Sequence, residues 1–318
     1  MDCQPNRQGQ LSAKKAAKIR AGMAELDLWL QDLVRRGWAT LPTDAASLWH
    51  EIAARMVDAQ APEIARELRA IAQLDPSDPQ GSRLLARLGR LYSIARGWQH
   101  FDELPPETQA DLRSQVGWTQ PRRDLLIREG IKSRWWVLGR HVEAVAGIAK
   151  LKSQRIWLWG EAIERSALLL GYAHGTEPFY GDFLPGTSFE AELVFYESGY
   201  PLRAVVKGEI CPSEPVDRLP GYDSINDALQ AYSSALGQNP WLERFPLALA
   251  ACVPQKRGEV AIDGFGKALP VSPDFTQNWQ LAAVGGGLPI SVFGEWNGEF
   301  WLPLSAVAEG RFVVLGHG

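Results

Sequence analysis

Cysteine is scarce: Cys3, Cys211 and Cys252 are the only three in 318 residues. They are far apart and odd in number, which excludes a disulfide framework and fits a reduced compartment. No run of about 18 apolar residues occurs, so no membrane-spanning helix is expected. The start, MDCQPNRQGQ, has no apolar core and does not read as a secretory signal. There is no C-x-x-C, no C-x-H and no G-x-S-x-G. No G-x-G-x-x-G follows a strand-like run, which removes the usual dinucleotide fingerprint. His50–Glu51 begins like a zinc-protease helix, but the second ligand position holds Ala54. Gly266–Lys267 ends like a phosphate loop, but the required upstream glycine is Ala261. With only five histidines and no clustered Cys, His or carboxylate ligands, neither a metal site nor any other cofactor is expected. The expectation is a cytoplasmic protein that is not an enzyme.

What remains is an ordinary globular composition with two unusual features. Hydrophobic residues make up 46% and charged residues 22%, enough to bury real cores, and the length suggests two domains. Charge divides unevenly along the chain. Residues 1–150 hold 22 Lys and Arg against 18 Asp and Glu, and residues 151–318 hold 11 against 19. Neither half approaches the charge of a dedicated nucleic-acid domain. The second feature is 13 tryptophans. Core anchoring is the plainer role for them; partner anchoring is the sharper one.

The first half has a helical period. Ile19, Met23, Leu26, Leu30 and Leu33 step by fours and threes, with Arg35 and Arg36 in the last turn and Gly37 after it. Lys14, Lys15, Lys18 and Arg20 oppose the helix dipole, so residues 1–20 read as a flexible linker or extension. Further helices are expected over about 44–60, from Pro62, over 80–98, from Pro105–Pro106 toward Val116, and from Pro121 to Lys150. The DPSDP cluster (75–79) reads as a turn between them. Near Lys152 the period falls to two. Ile156 and Leu158 share one face of a strand, Trp157 and Trp159 the other. Strands are then expected over 166–173, 188–196, 201–206, 247–253, 259–262, 265–271 and 279–284, with one helix over 225–236 capped by Asp223 or Ser224 and closed by Gly237. Asn297–Gly298 marks a hairpin that puts Trp296 and Trp301 on one sheet face. The triple glycine 285–287 reads as a loop. The expected fold class is α+β: an N-terminal α-helical bundle (1–150), then a mostly antiparallel β-rich domain with one helix (151–318).

Two sets of surface candidates follow. Arg122, Arg123, Arg128, Lys132 and Arg134 precede Trp135–Trp136, an interleaving that suits phosphate neutralisation and base stacking. Asp124 and Glu129 dilute it, so a solvated helical face is the plainer reading. Trp135, Trp157, Trp159, Trp296 and Trp301 are candidate partner contacts.

Several strings carry a family resemblance: MAELDLWLQDLVRRG (Met23–Gly37), LWHEIAARMVDAQAP (Leu48–Pro62), LLARLGRLY (Leu84–Tyr92), VGWTQ (Val116–Gln120), WLWGEAIERSALLL (Trp157–Leu170) and PGTSFEAELVFYESGYPLRAVVK (Pro185–Lys207). In that order they are similar to the region following the finger in bacterial SWIM zinc finger proteins. The likeness runs over about Leu11 to Lys207 and fades afterwards. The family's finger, C-x-C followed by C-x-H, does not occur, and no zinc ligand carries over to this sequence. The resemblance implies a finger that is missing, truncated or on a separate chain. It also implies an adaptor role beside a MoxR-type AAA+ ATPase and VWA-domain proteins. The basic and aromatic run keeps nucleic-acid binding as the alternative, and no membrane partner is expected.

Overall fold

A computed structural model describes residues 7–37, 45–73, 82–145, 148–179, 181, 183–212, 214–255 and 258–315. The DPSDP turn lies outside them. The chain forms two units, Met1–Thr119 and Gln120–Gly318.

The first unit is helical: α1 (Arg7–Arg36), α2 (Ala45–Asp58), α3 (Pro62–Ile71), α4 (Ser82–Gln99) and α5 (Pro106–Gln115), with a 3-10 turn at Phe101–Glu103. The apolar stripe of α1 becomes core: Ile19, Met23 and Leu26 are wholly buried, with Leu30 and Leu33 beside them. Gly37 follows the helix with φ +76°. Because α1 is already helical at Arg7 and buries Ile19, residues 7–20 are not the linker that their lysines suggested. Packing onto a buried face outweighs an unfavourable dipole of a few tenths of a kcal/mol. Helices α1 and α2 touch at Gly22, where a Cβ would stand 2.3 Å from that of Ala59. Pro62 opens α3, which buries Ile64, Ala65, Leu68 and Ile71. On α4, Leu88, Leu91, Ile94 and Trp98 are buried, and Trp98 stacks on Phe101 at 4.5 Å.

The second unit opens with the five-residue helix α6 (Arg122–Leu126) and then strand β1 (Ile131–Ala144). Helices expected from Pro121 to Lys150 are therefore corrected. Trp135, Trp136, Val137, Leu138 and Gly139 are all buried, because β1 is covered on both faces. Such a run has no strand period, and by periodicity alone it cannot be told from a buried helix.

β1 continues into β2 (Leu151–Gly160), β3 (Arg165–His174), β4 (Ser188–Phe195) and β5 (Arg203–Pro212). These five close into a barrel in the order β1-β2-β3-β5-β4, antiparallel except where β3 meets β5. The six-stranded sheet has the order β11-β10-β9-β6-β7-β8. Its strands are β6 (Phe245–Gln255), β7 (Val260–Asp263), β8 (Ala268–Pro270), β9 (Ile290–Trp296), β10 (Trp301–Ala308) and β11 (Arg311–Val314). Helix α7 (Ile225–Gln238) is capped by Ser224, whose side chain accepts from the Asp227 N–H; it runs past Gly237. Helix α8 (Asn278–Gly285) replaces the strand expected over 279–284 and ends at Gly286, with φ +55°. The hairpin Asn297–Gly298 pairs Trp296 with Trp301 as expected, with Gly298 at φ +95°. That backbone conformation strains any residue with a Cβ, and the turn requires it.

Three apolar layers result. The barrel interior holds Trp135, Val137, Ile156, Leu158, Leu169, Phe189 and Leu193. Between barrel and sheet lie Trp136, Leu138, Trp157, Leu202, Phe293 and Leu304. The far face of the sheet packs Phe245, Leu247, Val292, Trp296 and Trp301 with Ile225 of α7 and Leu281 of α8. The coarse architecture is thus an N-terminal helical bundle followed by a mostly antiparallel β-rich domain. Among the described helices none is long and apolar enough to cross a membrane.

Candidate functional site

The basic run before Trp135 does not form a uniformly positive patch. Arg122 and Arg123 open α6 and are exposed; Arg123 faces Asp124 at 3.4 Å. Arg128 pairs with Glu197 at 2.9 Å. Arg134 is half-buried: it donates to Ser188 Oγ at 3.0 Å, and the carboxylates of Glu161 and Glu214 each lie 3.7 Å away. Lys132 is exposed on β1. Sequence places these cations together, but the tertiary fold brings carboxylates to Arg128 and Arg134.

The tryptophan candidates are also corrected. Trp135 is wholly buried in the barrel and donates its indole N–H to the Ala191 carbonyl at 3.2 Å. Trp157 is wholly buried between barrel and sheet, and Trp159 packs half-buried in the same layer. Trp301 and Trp296 are buried on the far face of the sheet. Four of the five are core anchors and offer no free face; the plainer role wins because burying an indole removes more apolar surface from water than any other side chain does.

Next to the basic run, an open groove of about 510 Å³ is lined by Lys132, Ser133 and Arg134 of β1, Glu190, Ala191 and Glu192 of β4, and Lys207, Gly208 and Glu209 of β5. A bulge makes it. Glu190 pairs with Cys211 and Glu192 with Lys207, so Gly208, Glu209 and Ile210 stand opposite Ala191 alone. Across the strands, Lys132 faces Glu192, Glu192 faces Lys207, and Arg134 faces Glu190. Signs therefore alternate across the groove. Lys207 donates to Glu192 at 2.9 Å and to the Arg128 carbonyl at 2.8 Å. The bond from Lys207, joined by the Gly130 N–H, holds the Glu192 carboxyl below its ordinary value.

A second charge cluster is buried between barrel and sheet. Arg155 of β2 donates through Nε and Nη2 to Glu295 of β9, at 2.7 and 3.0 Å, and also grips Glu143 of β1. The Glu295 side chain has no exposed surface and accepts the Trp157 indole N–H at 2.7 Å. Arg244 closes the cluster from 3.5 Å, and His141 lies 3.6 Å from Glu143. Burial alone would raise the pKa of Glu295; Arg155 more than offsets it, so the group stays below the usual carboxylate range. For Glu143, contact with His141 and then Arg155 pushes the value far down against burial. Every ionisable group here is spent on another, which is the signature of a structural joint.

Other reactive side chains are likewise committed. Burial pushes the Cys252 thiol up to about 12, with Asp263 adding to the effect, whereas Cys211 is exposed. Asp263 accepts backbone N–H groups from Ile225, Phe265 and Lys267, fixing the start of α7 and the hairpin after β7. His50 contacts the Ala46 carbonyl at 2.6 Å, and His100 lies 3.3 Å from Glu103. Among the described residues no group of three or more His, Cys, Asp or Glu is placed to hold a metal ion. The barrel places β3 beside β5 in parallel, the one parallel pair among its described strands. Arg155 and Trp157, on the outward side of β2, lie beneath the chain's own sheet.

The fold thus defines a helical bundle joined to a barrel-and-sheet β domain. Residues 14–116 match the family model of the SWIM-associated four-helix bundle domain. No curated protein and no solved structure matches the chain.

Proposed function

We propose that the protein is a non-enzymatic adaptor that docks other proteins in the cytoplasm. The alternating charge of the barrel groove carries this reading. A polyanion needs an unbroken run of cations, because each neutralised phosphate adds to affinity. Here Glu190, Glu192 and Glu209 would repel it. Protein surfaces mix both signs, and such complementarity sets partner choice and register. The buried ionisable groups support the same reading, since Glu295, Asp263 and Cys252 are each tied to structural roles. Residues 14–116 are similar to the SWIM-associated four-helix bundle domain. The family resemblance therefore nominates a MoxR-type AAA+ ATPase, a VWA-domain protein or a separate finger-bearing chain as partner.

Cross-linking in native cells followed by affinity capture of the full chain tests the proposal. A reproducible protein partner is expected. Capture of nucleic acid, with affinity that falls steeply with salt and weakens when Arg122, Arg123 and Lys132 are neutralised, would replace this reading with the nucleic-acid one.

A further inference from the structure

The groove's charges are not equally available, and this difference specifies a partner chemistry. Arg134 is spent on Ser188, Glu161 and Glu214. Lys207 and Glu192 are spent on each other, on the Arg128 carbonyl and on the Gly130 N–H. Three charges of the lining are left: Lys132, Glu190 and Glu209. All three are exposed; among the described residues none is seen in an ion pair or a side-chain hydrogen bond, and Lys132 reaches Glu192 only through its charge. Lys132 faces Glu192 across the strands, but that carboxylate is already occupied. Glu190 faces Arg134, whose guanidinium is turned to Ser188 and Glu214. Glu209 sits on the bulge beside Gly208, at φ +81°. Lining as a whole is neutral, but what it offers a ligand is two carboxylates and one ammonium.

We infer that this groove accepts an extended protein segment through a basic side chain, which seats between Glu190 and Glu209 while an acidic neighbour reaches Lys132. The inference rests on the adaptor reading and adds to it the sign of the docking residue. A volume of about 510 Å³ has room for two or three side chains and not for a folded domain. The bulge supplies the depth: three residues of β5 arch away where β4 has one. Arginine or lysine supplies the charge, and arginine brings the larger set of donors.

The test uses the full chain, fluorescently labelled eight-residue peptides and a single-stranded 20-mer oligonucleotide. One peptide alternates Arg with Thr around a single Asp; its counterpart alternates Glu with Thr. Anisotropy titrations at low and moderate salt should show binding of the cationic peptide only. The double variant Glu190→Lys, Glu209→Lys should weaken it about tenfold, as loss and reversal of two partly exposed contacts predicts. Glu190→Gln with Glu209→Gln should give an intermediate loss, and its far-ultraviolet spectrum should be unchanged because neither side chain holds the fold. Tighter binding of the anionic peptide or the oligonucleotide, or an affinity unmoved by either double variant, overturns the inference. A photo-cross-linker at Lys132 in cells separates the two claims. Protein adducts that persist in the reversed variant would keep the adaptor reading and discard the basic-side-chain assignment. Adducts with nucleic acid alone would discard both.

Discussion

The two faces of β2 solve different problems. Inward, Ile156 and Leu158 join an apolar cluster of barrel side chains. Outward, Trp157 and Arg155 meet a layer that is apolar around a buried ion cluster. Close packing holds the inner face and is indifferent to which strand supplies each methyl, so long as volume is filled. The outer face is specific: only a carboxylate at 295, beside an indole N–H, completes Arg155. Barrel and sheet are thus aligned by a directional joint set in a non-directional layer. The surface groove forms a third case, where similar pairs stand partly in water and contribute little.

Removing one partner of the joint should produce the largest effect. Glu295→Ala leaves the buried Arg155 with Glu143 alone and takes the acceptor from the Trp157 indole N–H, with an expected loss of about 3 kcal/mol in denaturant-derived stability. Replacing both partners, Arg155→Met with Glu295→Leu, should recover most of it; if the double variant is as damaged as the single one, the joint is more than a charge pair. Inside the barrel, Leu158→Ala should cost about 2–4 kcal/mol through its cavity. The cost of Leu158→Ala should not depend on pH, which separates the two faces experimentally.

Acid should act on the outer face alone. Folded Glu143 and Glu295 both titrate below their unfolded values. Their stabilisation is therefore fully present above an unfolded carboxylate pKa of about 4.3 and is lost as pH falls through the lowered folded values. A melting series from neutral to pH 3 should stay level to about pH 5 and then drop, and the Arg155→Met, Glu295→Leu variant should drop less steeply. Smallest of all is Lys207→Ala in the groove, where the half-buried pair with Glu192 is partly screened; it should cost less than about 1 kcal/mol as read from the unfolding midpoint. A clear shift there would mean that the groove supports the barrel.

Much of the fold is legible because it is written locally. The stripe of α1, Pro62 at the start of α3, Ser224 before α7 and Asn297–Gly298 each act within a few residues. Local pattern fails where both faces are covered or the element is short: β1 carries a patternless apolar run, and α8, with its Trp279-to-Val284 stretch of strand formers, is only eight residues long. The candidate site was half legible. Lys132 and Arg134 do line the groove, but their meaning depends on Glu190, Glu192 and Glu209, which reach them only through strand pairing. Nothing near Arg155 hints at Glu295, 140 positions away. The tryptophans drew attention by number, and number alone does not distinguish a core from a surface.

Cys252 has a practical consequence. Its sulfur is sealed under the sheet and holds its proton to about pH 12, whereas Cys211 lies open on β5. The chain therefore carries a built-in clock: an alkylating reagent marks position 211 on mixing and position 252 only when the sheet parts. Following modification at position 252 by peptide mapping over time would report how often β6 is exposed without any engineered probe.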